Sequence, residues 1–265
     1  MGYFVQKKVM RSIFTVALFV SISTFVFPWG MTGHRVIGEV AENNLTDKAK
    51  LKVKSILKGR SLAEVSNWMD NIKSDRSYDS LRNWHWVTIP DGETYETSKK
   101  EPKGDAVAGI EHVIKGLKSG ELDKKKEEEY LKILVHLVGD LHQPLHVGNG
   151  TDRGGNEVKV EWFWRSSNLH RVWDSEMIDG KKYSYTELAK IVDNPYNKLT
   201  SFNELKSLDV REWANEAMQY RKQIYDLPAD RKLSYEYQYK NWDTVKGQLF
   251  KAGIRLANVL NDIYG

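Results

Sequence analysis

The stretch Leu131–His146, LKILVHLVGDLHQPLH, decides how the chain is read. Leu131, Ile133, Leu134, Val135, Leu137, Val138 and Leu141 make it apolar almost all round, the pattern of a helix buried inside a helical core. Within it His136 and Asp140 are four residues apart, one turn up the same helix face. An imidazole and a carboxylate there can converge on one ion, as nitrogen and oxygen ligands of zinc do. Pro144 lacks an N–H and disfavours helical geometry at Gln143, so the helix is expected to end or bend there. That bend would return His146 toward the same space. The alternative is a buried helix with two satisfied polar residues, and H-x-x-x-D is too short a pattern to choose between them.

Working outward, the chain reads as one mainly helical domain, an all-α fold with a small β-hairpin. Ile37–Asn43 is a short helix; Thr46 caps a second that runs to Lys58 and closes at Gly59; a third covers Leu62–Ile72. Asp75–Ser98 is irregular, with an extended piece WHWVTIP ended by the turn Pro90-Asp91-Gly92. Helices follow over Asp105–Leu117 and Lys124–Gln143. The open loop GNGTDRGGN then leads to VKVEWFW, whose alternation and aromatics suggest a strand in a hairpin. Further helices are expected at Asn168–Ile178, Tyr185–Val192, Val210–Tyr225 and Trp242–Ile263, with no internal repeat or linker.

The 265 residues, 40% of them hydrophobic, suffice for one sizeable core. Residues 1–28 read as a secretory signal: Lys7, Lys8 and Arg11 precede an apolar run over Ile13–Phe27 that is short for a membrane span. Pro28 beside the expected cut departs from the small residues a signal peptidase prefers. These 28 residues hold three of the 40 basic and none of the 36 acidic residues, which leaves residues 29–265 near +1. No broad basic face exists for phosphate-backbone attraction, so a phosphate-ester substrate would need bound cations. With no cysteine there is neither a disulfide nor a thiolate ligand. For an exported chain this leans toward a bacterial periplasm or exterior. The sequons at Asn44 and Asn149 matter only in a glycosylating host.

Five of the seven histidines stand in ligand-like settings, each with a plainer alternative. His34 follows Trp29-Gly30-Met31-Thr32-Gly33, and a histidine after a glycine turn reads, taken alone, as a capping or surface residue. Asp70, in Asn67-Trp68-Met69-Asp70, could sit at a helix end, and His85, between Trp84 and Trp86, could be a core histidine. His170 and Asp174 repeat the four-residue spacing of His136 and Asp140; two helices each offering an imidazole and a carboxylate suggest a polynuclear site. His142 points to another face and His112 lies on an amphipathic helix, so both read as structural or surface residues. The segment after Asp174 contains no histidine and reads as scaffold.

In order and spacing, WGMTGH, the WMD at Asp70, WHW at His85, HLVGDLHQPLH and NLHRVWD resemble the zinc-dependent single-strand nucleases of fungi, plants and bacteria, the trinuclear-zinc endonuclease/3′-nucleotidase family. The resemblance implies an all-α fold, three zinc ions in a cleft, and Trp29 as mature N-terminus binding metal through its amine and carbonyl. One zinc would take Asp70, His85, His136 and Asp140; a second Trp29, His34 and the shared Asp140; the third His146, His170 and Asp174. Metal-activated water would then hydrolyse single-stranded DNA or RNA to 5′-phosphorylated products, and 3′-nucleotides as well. Asp70 and Lys73 stand at the catalytic centre and Trp86 and Thr88 at the substrate. Departures touch the substrate side: Lys73 stands where fungal members carry a phosphate-contacting arginine, keeping the charge and losing the bidentate fork. Trp86 keeps a base-stacking aromatic, whereas Thr88 replaces a base-reading aspartate; the fungal disulfides are missing. A secreted or periplasmic monomer without a stable membrane anchor is implied. Two other readings remain at this level: a zinc phospholipase C acting on phosphatidylcholine, which has a similar site, and a non-enzymatic zinc-binding helical protein. The five-residue gap from Trp29 to His34 and the carboxylate Asp174, where the phospholipase has glutamate, favour the nuclease.

Overall fold

The computed structural model describes residues 29–194 and 205–265; the expected signal segment lies outside them. Helix α1 (Met31–Asn43) starts well before Ile37. Gly33 lies within it and not in a turn, and close packing accounts for the small residue, since Trp29 Cβ is 3.2 Å from the position a Cβ would take. His34 is therefore a buried helical residue. α2 (Asp47–Ile56) is capped by Thr46, whose hydroxyl accepts from the Ala49 N–H. Left-handed Lys58 and Gly59 then turn the chain.

The single helix expected from Leu62 is instead two, α3 (Leu62–Val65) and α4 (Trp68–Asn71). The break at Ser66–Asn67 frees the Ser66 carbonyl, which accepts from His136 Nδ1 at 2.7 Å. A 3-10 segment, Ile72–Ser74, follows α4, and a second, Arg76–His85, occupies the first part of the stretch expected to be irregular. They lead to strand β1 (Val87–Thr88), the regular part of WHWVTIP.

α5 (Ala106–Ser119) and α6 (Lys124–Leu141) pack against each other, each started by an aspartate cap, Asp105 and Asp123. α6 stops ahead of Pro144. A 3-10 turn over Pro144–His146 then delivers β2 (Val147–Gly148), which pairs in parallel with β1, Val87 opposite Val147. The hairpin β3 (Lys159–Trp162) and β4 (Arg165–Asn168) forms as expected, and β5 (Lys232–Leu233) adds in parallel to β3. From β4 the chain enters α7 (Leu169–Arg171), a π-helical turn (Val172–Glu176) and α8 (Met177–Asp179). α9 (Tyr185–Val192) carries a Ser184/Glu187 capping box. α10 (Val210–Met218) and α11 (Arg221–Ile224) divide a segment expected to be one helix, and the 30-residue α12 (Tyr235–Tyr264) begins seven residues ahead of Trp242.

α12 lies along α1 and also touches α6, α2, α5 and α9, so this helix packs as scaffold. The second half of α6 runs through the core: Leu131, Leu134, Val135, Leu137, Val138 and Leu141 are fully buried, each worth about 1.5–3 kcal/mol of apolar transfer. His142 is buried with Nδ1 at 2.8 Å from the Val138 carbonyl and Nε2 at 3.0 Å from Arg255 Nη1, which gives it a structural place. His112 bonds the Tyr130 hydroxyl on the α5–α6 face. Among the described residues no helix is long and apolar enough to cross a membrane.

Candidate metal centre

Six separate pieces of chain supply the expected ligand types: α1 (His34), α4 (Asp70), the end of a 3-10 segment (His85), α6 (His136 and Asp140), the turn after Pro144 (His146), and α7 with its π turn (His170 and Asp174). All eight side chains are buried. They fall into three groups whose ligand atoms lie within 4.8 Å of one another: His34 with His136 and Asp140; Asp70 with His85 and His136; and His146 with His170 and Asp174.

Asp140 joins the first two groups. Its Oδ2 is 2.9 Å from His85 Nδ1 and 3.2 Å from His136 Nε2, while Oδ1 is 3.3 Å from His34 Nε2. One carboxylate thus faces a different imidazole set with each oxygen. The His34 and His136 rings stack with centroids 4.0 Å apart. Gly139 makes this possible, since a Cβ there would sit 2.8 Å from His34 Nδ1. In the third group His170 Nε2 is 2.9 Å and His146 Nε2 3.6 Å from the two oxygens of Asp174. The four-residue spacing survives there on a π turn, a feature that recurs at functional sites.

Three of the rings are aimed by carbonyls. His136 Nδ1 bonds Ser66 O at 2.7 Å, His146 Nδ1 bonds His85 O at 2.6 Å, and His170 Nδ1 bonds Gly154 O at 2.6 Å. Each hydrogen bond fixes the tautomer that leaves Nε2 as a lone-pair donor, the usual support for a metal-bound histidine. Correspondingly, Nε2 of His146 and His170, both ring nitrogens of His34, and Asp140 Oδ1 are buried without a hydrogen-bond partner. Orphaned polar atoms of this kind cost about 1–3 kcal/mol each, and their pairing at His34 with Asp140 and at His146 with His170 fits a cation at each place. The donor set of neutral imidazoles and carboxylates, with no thiolate, suits zinc.

Charge states favour a neutral imidazole at His34 and His85 and ionised carboxylates at Asp140 and Asp174, while at His136 and His146 a cation would have to displace a proton. Burial pulls His34 down, helped by neighbouring His136, and burial lowers His85 to about 4. Burial opposes ionisation of Asp140, yet His136 and His146 outweigh it and hold the carboxyl well below the usual carboxylate range. For Asp174 burial is likewise outweighed, by His170 first. For His136 and His146 burial is overcome by Asp140 and its companion carboxylates, which raise both.

Beside the groups lies a cleft of ≈ 280 Å³ whose lining includes Lys73, Trp86, Thr88, Arg153 and Asn156 together with His85, His146 and His170. Lys73 Nζ is 2.5 Å from Asp70 Oδ1; Trp86 is 46% exposed, and Thr88 is exposed on β1. Trp29 is buried immediately ahead of α1, and the following Gly30 N–H donates to the Asp174 carbonyl at 2.6 Å. Three polar residues at this site escaped sequence reading. Gln143 accepts from the Leu145 N–H and donates to Asp174 Oδ1; it stood in the central stretch, masked by the proline after it. Arg153 and Asn156 come from the loop GNGTDRGGN, whose left-handed Gly154 and Gly155 were the available signal.

The S1/P1 Nuclease family model matches residues 29–265. The chain belongs to the S1/P1 nuclease family. Endonuclease 3 of Arabidopsis thaliana is 30% identical over 89% of this chain and 89% of its own length. Endonuclease 2 of the same plant is 28% identical (89% and 91%), and Nuclease S1 of Aspergillus oryzae is 24% identical (89% and 92%). Family membership makes the chain a single-strand nuclease and an endonuclease hydrolase that depends on metal, with nucleic acid as substrate. The phospholipase C alternative is not favoured.

Proposed function

We propose that the chain is cut after Pro28 and that the enzyme beginning at Trp29 hydrolyses single-stranded DNA and RNA to 5′-phosphorylated products, and 3′-nucleotides, with three zinc ions. Support comes above all from Asp140, whose two oxygens face separate imidazole sets, as a carboxylate shared between two ions would. On this reading Asp70, His85, His136 and Asp140 hold one zinc; Trp29 (through its freed amine and its carbonyl), His34 and Asp140 hold a second; and His146, His170 and Asp174 hold the third. Zinc there would supply Lewis acidity toward the phosphate and a water acidified toward a pKa of about 7.

The protein's own groups would do the rest. The carbonyls of Ser66, His85 and Gly154 keep three rings oriented, so no reorganisation is needed when charge develops. Lys73, beside Asp70, adds a point charge for a non-bridging phosphate oxygen. Trp86 offers its indole face to a base, a contact worth about 1–3 kcal/mol that tolerates any base. Thr88 supplies a single hydroxyl, whereas the Asn156 amide in the same cleft offers a separate donor and acceptor side by side to a base edge. A secreted or periplasmic bacterial monomer is the setting this reading carries, supported by the apolar N-terminal run and the absence of cysteine.

The test takes protein starting at Trp29, zinc-supplied and with a chelated control. It compares 5′-phosphorylated products from single-stranded DNA and RNA with phosphocholine release from phosphatidylcholine. Zinc-dependent cleavage of nucleic acid is expected; cleavage of lipid alone would overturn the assignment.

A further inference from the structure

The loop Asn149–Asn156 that follows β2 holds three glycines in eight residues, and Gly150, Arg153, Gly154 and Gly155 are all left-handed. Glycine-rich chain loses the most conformational freedom on ordering, and this loop has no large apolar side chain to bury, so hydrogen bonds must fix it. Its conformation matters to the metal centre. The Gly154 carbonyl aims His170 through Nδ1 at 2.6 Å, and Gly154 packs on the Leu145 carbonyl, next to His146, with no room for a side chain.

The fixing groups come from α11, in the C-terminal segment that supplies no histidine. The Tyr225 N–H donates to the Arg221 carbonyl at 3.0 Å, one helical turn that sends both side chains off the same face. Arg221 donates to the Val147 carbonyl through Nε at 3.1 Å and Nη2 at 2.6 Å, to the Ile89 carbonyl through Nη2 at 2.8 Å, and to Asp91 Oδ1 through Nη1 at 2.9 Å. Its planar fork thus ties β2 to the end of β1, one residue after His146. Asp91 in turn accepts from Asn149, the first residue of the loop, at 3.1 Å. The Tyr225 hydroxyl donates to Asp152 Oδ2 at 2.8 Å, and Asp152 Oδ1 accepts from the Gly155 N–H at 2.8 Å. Burial, aided by Asp152, raises the Tyr225 pKa and keeps that proton in place. A third thread leaves the same turn: the Ile224 carbonyl accepts from the Tyr237 hydroxyl at 2.7 Å, and Tyr237 accepts from the indole of Trp173 at 2.9 Å, the residue before Asp174. One short helix therefore bonds toward each of the three ligands of a single group.

We propose that Arg221 and Tyr225 are positioning residues for the group His146, His170 and Asp174: without touching an ion, they hold the two imidazoles in ligand geometry and so set how tightly that group binds one. The proposal rests on the three-ion reading and names the residues that tune one ion independently of the other two. Its two halves are separable. Tyr225→Phe removes one hydroxyl and acts on His170 through Asp152 and the loop. Arg221→Lys keeps the charge but loses the fork that spans Asp91, Ile89 and Val147, and acts on His146.

The test compares both variants with the unaltered protein beginning at Trp29, with thermal unfolding of the chelated forms to verify the fold; should Arg221→Lys fail to fold, Tyr225→Phe decides alone. The first measurement needs no metal. In chelated protein the ring Nδ1 protons are followed by NMR as they exchange with water. Tyr225→Phe should speed exchange at His170, and Arg221→Lys at His146, by up to about tenfold for one weakened hydrogen bond, with the His136 proton unchanged. The second titrates zinc against a zinc-binding dye: one ion should bind about tenfold or more weakly, while the other two keep their affinity. Exchange and affinities equal to those of the unaltered protein would overturn the proposal. So would equal losses at His136 and at all ions, which would show general destabilisation. If the unaltered protein binds no zinc at His146 and His170 while the exchange differences stand, the three-ion reading fails and the positioning role is supported.

Discussion

Asp140 carries more of the site than any other side chain, because its two oxygens face imidazoles from α1, α6 and the end of the Arg76–His85 segment. Asp140→Asn keeps the volume and removes the shared negative charge. Metal content is expected to fall from three ions to one, with activity down by at least about 100-fold; three ions retained by elemental analysis would contradict the bridging role. Gln143 acts one step further out, tying Asp174 to the turn that carries His146. Gln143→Ala should weaken the ion of the third group by about 10- to 100-fold, read by competition with a zinc-binding dye, while the other two ions keep their affinity. Only the candidate ligands were legible in the sequence at this scale. A glutamine that orients a carboxylate from another helix leaves no spacing signature.

The buried α6 was the element easiest to read, since an apolar run with an aspartate start and a proline stop has few alternatives. Its polar first half depends on a contact that the sequence does not announce. Glu128 accepts from Lys132 at 2.5 Å and from Arg60 at 2.5 Å, and pairs with Lys58 at 2.8 Å, joining α6 to the α2–α3 turn. Lys132 first, then Lys58, hold the Glu128 carboxyl at about 2, against an ordinary 4.5. A carboxylate lowered in the folded state stabilises it above the ordinary value, and that contribution disappears as pH falls from about 4.5 through about 2. Glu128→Gln should therefore cost about 1.5–3 kcal/mol at neutral pH, and denaturant titrations should show the gap to wild type closing across that window. A gap unchanged at pH 2 would mean packing, not charge, is what was lost. Helix edges were less legible for local reasons: Gly33 suggested a turn where close packing on Trp29 demands a small residue, and Ser66–Asn67 breaks a helix to lend a carbonyl to His136.

Across the whole molecule, eight buried ligand-type residues from distant parts of the chain mean that bound metal ties the tertiary structure together. Ions that bind the folded state alone stabilise it by mass action, about 2.7 kcal/mol for each at a free concentration of 100 Kd. Chelation should thus lower Tm by at least about 5 °C for a protein of this size. An enzyme still extended by Pro28 should fall between the loaded and chelated forms, holding one ion fewer, if the Trp29 amine is a ligand; an extended enzyme with full metal content and full activity would refute that role. The sequence by itself pointed to the helical class, the buried central helix and the candidate ligand types, because periodicity, capping and residue chemistry are local properties written along the chain. Only the tertiary structure set the distances among the candidate ligands, the pairing of β1 with β2 that sets His146 on the His85 carbonyl, and the π turn into which the α7 segment relaxes at Asp174. Those outcomes depend on contacts between residues far apart in sequence, whose energies exist only once the core has closed around them.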